Sequence, residues 1–214
     1  MLREIPSNEL FTIFIMVSIV AVATAKLIAP NRFNDFVYVV TNSKYLKIYA
    51  REQKFTDRFE VLLLINLMLS GAIFGLILYQ YFFNTNTVPA NQAMVLVAGI
   101  GGFVIAKIAV EYFIGNLFEI NSLINLYLFQ KTSYKMYIGL LLIPINAVLL
   151  YSNLPLSVSI WIALALILLI NLVGFASTIK SHESLIKANL FYFILYLCAL
   201  EIAPYVILYK VFIS

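Results

Sequence analysis

Charge is what this chain has least of. Lys, Arg, Asp and Glu together make up 11% of its 214 residues, against about a quarter in an ordinary soluble domain. Hydrophobic residues make up 63%, more than the interior of a soluble fold of this length can hide. Cysteine is nearly absent too. Cys198 is the only one, and a single thiol inside an apolar run excludes an intrachain disulfide and a multi-cysteine metal site. His182 is the only histidine. That removes the HExxH pattern, which needs two, and leaves little material for a metal centre. No aspartate lies inside a long apolar run, so an intramembrane aspartyl dyad is excluded. Ser70-Gly71 has no plausible base, because His182 belongs to a loop after a different run. No glycine-rich phosphate cradle leading into Lys-Ser/Thr occurs. Gly99, Gly101 and Gly102 imitate part of one, but within an apolar stretch that follows no strand. An enzyme is therefore the least supported class, and no cofactor is expected.

What fills the chain instead is long apolar runs. A bilayer crossing takes roughly 20 consecutive apolar residues, and six runs qualify: near 10–29, 59–83, 92–113, 134–151, 156–176 and 189–209. The expected fold is all-α, a single integral-membrane bundle of six spans covering 1–214. The first run follows Pro6, Ser7 and Asn8, which are natural helix-start residues. Ala21-Val22-Ala23 and Ala23-Thr24-Ala25 resemble signal cleavage sites. Glu4 and Glu9 offset Arg3, however, and a dense basic segment follows, so the first run is expected to remain as a span.

Between it and the second run, residues 30–58 form the only sizeable polar segment. Phe33, Phe36, Val37 and Val40 recur at helical spacing, and Tyr45, Ile48 and Tyr49 do so after the break at Thr41-Asn42-Ser43. Two short amphipathic helices lying in the lipid headgroups are expected, with a partner-binding surface as the alternative.

Orientation follows from the basic residues. Arg32, Lys44, Lys47, Arg51, Lys54, Arg58, Lys131, Lys135, Lys180 and Lys187 all follow the first, third or fifth run, and the loops after the second and fourth have none. Those three basic loops are placed in the cytoplasm, with both termini outside it. The net charge of +4 is read as loops held near anionic lipid, not as nucleic-acid binding.

Few polar groups fall within the runs. Lys107 and Glu111 lie one turn apart in the third, where the bland reading is a snorkelling pair and the functional one a buried site. Glu201 lies about a dozen residues into the sixth run, too deep for a short side chain to reach water along its own helix, and Pro204 loosens the backbone ladder just beyond it. A buried Lys107–Glu201 contact and a hydrogen-bonding glutamic acid used as packing glue are the two readings. Gly71 and Gly75, with Ala98, Gly102 and Ala106, hold the four-residue spacing of close helix packing.

Arg32-Phe33-Asn34-Asp35-Phe36, Lys44-Tyr45-Leu46-Lys47-Ile48-Tyr49 and above all Tyr196-Leu197-Cys198-Ala199-Leu200-Glu201-Ile202-Ala203-Pro204 resemble an uncharacterised bacterial polytopic membrane family, catalogued only as a domain of unknown function. The resemblance covers nearly the whole chain. It implies a bacterial inner membrane and no particular activity. The expected function is a non-catalytic component that scaffolds or assists a cell-envelope complex, with the bilayer and other envelope proteins as partners. A small secondary transporter using Lys107 and Glu201, built from two inverted three-span halves, is the alternative. A lipid-modifying enzyme comes third. Oligomeric state is left open.

Overall fold

The computed structural model describes residues 9–42, 44–49, 57–83, 95, 98–99, 101–102, 121–152 and 154–181. Every regular element among them is a helix: α1 (Glu9–Ile28), α2 (Pro30–Val37), α3 (Lys44–Tyr49), α4 (Arg58–Phe83), α5 (Asn121–Tyr151) and α6 (Leu156–Ser181). Four of these contain segments long and apolar enough to cross a membrane: Leu10–Ile28, Arg58–Phe82, Leu128–Tyr151 and Leu156–Ser177. Apart from five residues of the third, the runs expected over 92–113 and 189–209 lie outside the described residues.

Local chemistry sets the breaks. Pro30 disfavours helical backbone at Ala29, which sits at φ −139° and ψ 72°, so α1 ends there. The same proline opens α2, where a missing N–H costs nothing. A turn follows α2, in which the Tyr38 carbonyl accepts from the Thr41 and Asn42 amides at 3.0 and 2.7 Å. The Asn42 side chain then accepts the Lys44 amide at 3.0 Å and starts α3.

Two clusters of buried side chains hold the helices together. Near the α1–α2 corner, Ala25, Phe33, Phe36, Tyr45, Phe59, Leu63, Phe129 and Tyr134 pack as one group. At the opposite end, Ile15, Ile73, Phe74, Leu142, Leu149 and Ile160 form the second. This pairing makes α1 antiparallel to α4, and α4 parallel to α5. Helix α6 runs back along α5, with Gly174 against the Tyr134 ring.

Two expectations change. The rings of Phe33, Phe36 and Tyr45 do not lie in lipid, as the sequence suggested; they are buried in the protein's own core, because α4 and α5 offer them aromatic partners. Val37, Tyr38 and Ile48 are the large hydrophobic residues left exposed among the described part of this segment. Helix α5, which carries the run expected over 134–151, already includes Asn121, and its Leu128, Phe129, Gln130 and Ser133 are buried.

Candidate functional site

Among the described residues, the richest polar constellation lies where α2, α3 and the start of α4 meet. Arg32 follows the α2 opening and shares a helix face with Phe36, one turn on. Its guanidinium donates to the Asp57 carboxylate and to Glu60 Oε1 at 2.5 Å. Three rings enclose it: Phe59, Tyr49 and Tyr45, with centroids 4.9, 5.0 and 5.9 Å away. Two carboxylates and an aromatic box let a cation rest at the foot of an apolar bundle. Behind it the rings continue. Phe36 meets Tyr45, Phe59 and Tyr137 edge-on at 5.4, 6.1 and 6.2 Å, and Tyr45 stacks on Phe129 at 5.6 Å. Lys44 and Asp35 pair at 3.0 Å on the outer side of the segment.

Burial by itself lowers the Arg32 pKa, but Tyr45, Glu60 and Asp57 more than reverse that and hold it above its ordinary value. The Tyr45 hydroxyl is pushed up to about 12, first by burial. It lies beside Arg32 and Ser133 yet closes no hydrogen bond of acceptable geometry. Arg32 Nε is likewise buried without an acceptor. The arrangement is a neutralised clamp, because the Arg32 charge is spent on Asp57 and Glu60.

A second polar group lies deeper, between α4 and α5. Ser70 Oγ donates to the Asn66 carbonyl at 2.7 Å and to the Gly139 carbonyl at 3.0 Å. Asn146 Nδ2 donates to the Ser70 carbonyl at 2.8 Å. Close approach of the two helices makes this possible: a Cβ at Gly139 would lie 2.8 Å from Leu67 Cα. Among the described residues, both amide atoms of Asn66, Asn146 Oδ1 and Ser18 Oγ are buried without a partner.

Of the residues singled out from sequence, Lys107, Glu111, Ala106, Glu201 and Pro204 lie outside the described residues. Gly71 and Gly75 are half-buried, and Ala98 and Gly102 are exposed. A Cβ at Gly71 or at Gly102 would meet nothing within 4 Å, whereas one at Gly101 would lie 3.8 Å from Met68 Sδ. The Arg32 clamp escaped the sequence reading because its carboxylates are 25 and 28 residues away. A usable signal was present, since an arginine shares a face with Phe36 on a short helix. Asn66 and Asn146 also stand out in the sequence, as uncharged polar residues within apolar runs.

The family described as Domain of unknown function (DUF4271) matches residues 11–212. No curated protein matches the chain, and no solved structure does.

Proposed function

The chain belongs to the DUF4271 family, a domain of unknown function, and from that premise we propose a non-catalytic, six-span component of a bacterial inner membrane. It holds or assists an envelope complex through its cytoplasmic-side segment. The observation that supports this is the Arg32 clamp. It pins α2 and α3 to the bundle through buried rings and two carboxylates, and leaves Tyr38 and Ile48 exposed at 63% and 43%. A rigid ledge with outward apolar side chains suits docking more than turnover, since binding on a preorganised surface loses little conformational entropy.

The test is affinity purification of the tagged full chain from native membranes. A stoichiometric partner that is retained by the wild type and lost from the double variant Tyr38→Glu, Ile48→Glu is the expected result. Absence of any partner, together with solute- or proton-dependent flux in liposomes, would replace this reading with the secondary transporter using Lys107 and Glu201. The unpartnered Asn66 amide and Asn146 Oδ1 in the bundle core favour that second reading, since intramembrane polar groups commonly mark a transport path.

A further inference from the structure

Tyrosines aside, six polar side chains are buried among the described residues, and all lie on α1, α4 or α5: Ser18, Asn66, Ser70, Gln130, Ser133 and Asn146. Four of them meet at mid-bundle. Hydrogen bonds tie Ser70 to Asn66, to Gly139 and to Asn146. Ser18 comes level with them because α1 runs antiparallel to α4. Ala25 packs with Phe59 and Leu63, and Ile15 packs with Ile73 and Phe74. Ser18 therefore falls beside the intervening stretch of α4, which holds Asn66 and Ser70.

Four atoms of this group have no hydrogen-bond partner among the described residues: Ser18 Oγ, Asn66 Oδ1, Asn66 Nδ2 and Asn146 Oδ1. Ser18, Asn66 and Asn146 are 1%, 0% and 0% exposed, so lipid headgroups and bulk water do not reach them. Buried polar groups of this kind are commonly completed by ordered water. The donor set agrees with that occupant. Three oxygens accept and one amide nitrogen donates, and a water molecule answers both. A cation would meet the oxygens but also face the Asn66 N–H groups. No carboxylate of the described residues stands in this group to offset its dehydration.

The remaining unpartnered buried atoms, Arg32 Nε, Tyr45 Oη and Gln130 Oε1, lie toward the α2–α3 end, where Tyr45 sits beside Ser133. Along α5, Ser133 and Gly139 differ in height by about 9 Å, a gap that about three hydrogen-bonded waters bridge. The opposite end is different. Beyond Ser70 and Asn146 the described buried side chains are apolar, among them Ile15, Ile77, Leu149 and Ile160.

We propose that a file of water occupies the junction of α1, α4 and α5, entering at the α2–α3 end and stopping at Ser70 and Asn146. The bundle then carries a wet half-channel, open toward one face of the membrane and closed toward the other. This goes beyond docking on α2 and α3, and holds whether or not a partner is bound there.

Silver ion tests it, because a small cation follows a water path and captures a thiol where water lets the thiolate form. The full chain carrying Cys198→Ser is placed in sealed vesicles, and free thiol is counted after unfolding. Ser70→Cys should lose its thiol to silver added on the side from which Asn42→Cys reacts, and keep it against silver on the other side. Ser18→Cys, whose native oxygen has no partner to lose, serves if Ser70→Cys fails to fold. Ile77→Cys should keep its thiol against silver from the Asn42 side. Folded Ser70→Cys and Ser18→Cys chains unreactive from both sides would make the core dry and overturn the proposal. Capture from the opposite side alone would overturn it as well, and so would loss of the Ile77→Cys thiol from the Asn42 side, which would remove the closed end. Capture at Ser70→Cys that sodium slows, relative to choline at equal ionic strength, would put a cation where water is proposed and overturn it too.

Discussion

Arg32 and Tyr45 show how single side chains decide the inner end of this protein. The guanidinium is tolerated because Asp57 and Glu60 neutralise it and three rings face it. Removing it would strand two carboxylates against apolar surface. Tyr45 is fully buried and acts as a neutral ring, since burial raises its pKa from 10.0 to about 12. The sign follows from linkage: the folded state keeps the phenol proton longer than the unfolded one. The stabilising contribution is complete below about pH 10 and is lost as pH rises through about 12. It amounts to about 2–3 kcal/mol at most, at 1.36 kcal/mol per pKa unit. Thermal midpoints measured between pH 9 and 12 should fall more steeply for the wild type than for Tyr45→Phe, which has no proton to lose at that site. Parallel curves would place Tyr45 in water.

Helix contacts depend on where two backbones meet, and that is not where the glycine spacing pointed. Gly71 sits in a GxxxG pattern, yet an added Cβ meets nothing within 4 Å among the described residues. Gly139 belongs to no such pattern, yet a Cβ there would meet Leu67 Cα and Cβ at 2.8 and 3.0 Å. Because the obstacle is backbone, α4 and α5 must separate to admit a methyl group. Gly139→Ala is expected to cost about 1–3 kcal/mol, the range for overpacking. It should also lengthen the Ser70–Gly139 hydrogen bond. Gly71→Ala should leave stability within about 0.5 kcal/mol of wild type, as uncrowded substitutions do. Thermal or SDS denaturation of both variants in one detergent checks the contrast. The existence of α1, α4, α5 and α6 was legible, because a run of about 20 apolar residues has few other fates. Their packing faces were not, because a helix that is apolar all round carries no moment to say which side is inside.

Across the whole molecule, the basic residues near the α1–α2 corner and their absence between α5 and α6 give every loop an expected side. In a chain whose native cysteine is replaced by serine, Ser152→Cys should react with an impermeant maleimide on intact cells. Asn42→Cys should react only after permeabilisation. The opposite pattern would invert the topology.

Composition and run length alone determined that this chain is a bundle of apolar helices, because water rejects that much hydrocarbon whatever the arrangement. Charge placement along the sequence set its expected orientation in the same direct way. Only the tertiary structure decided that Phe33, Phe36 and Tyr45 turn inward instead of into lipid, and that Arg32 finds Asp57 and Glu60. Those outcomes depend on surfaces that α4 and α5 create together, and residues brought together from 25 and more positions apart leave no periodic trace in the sequence.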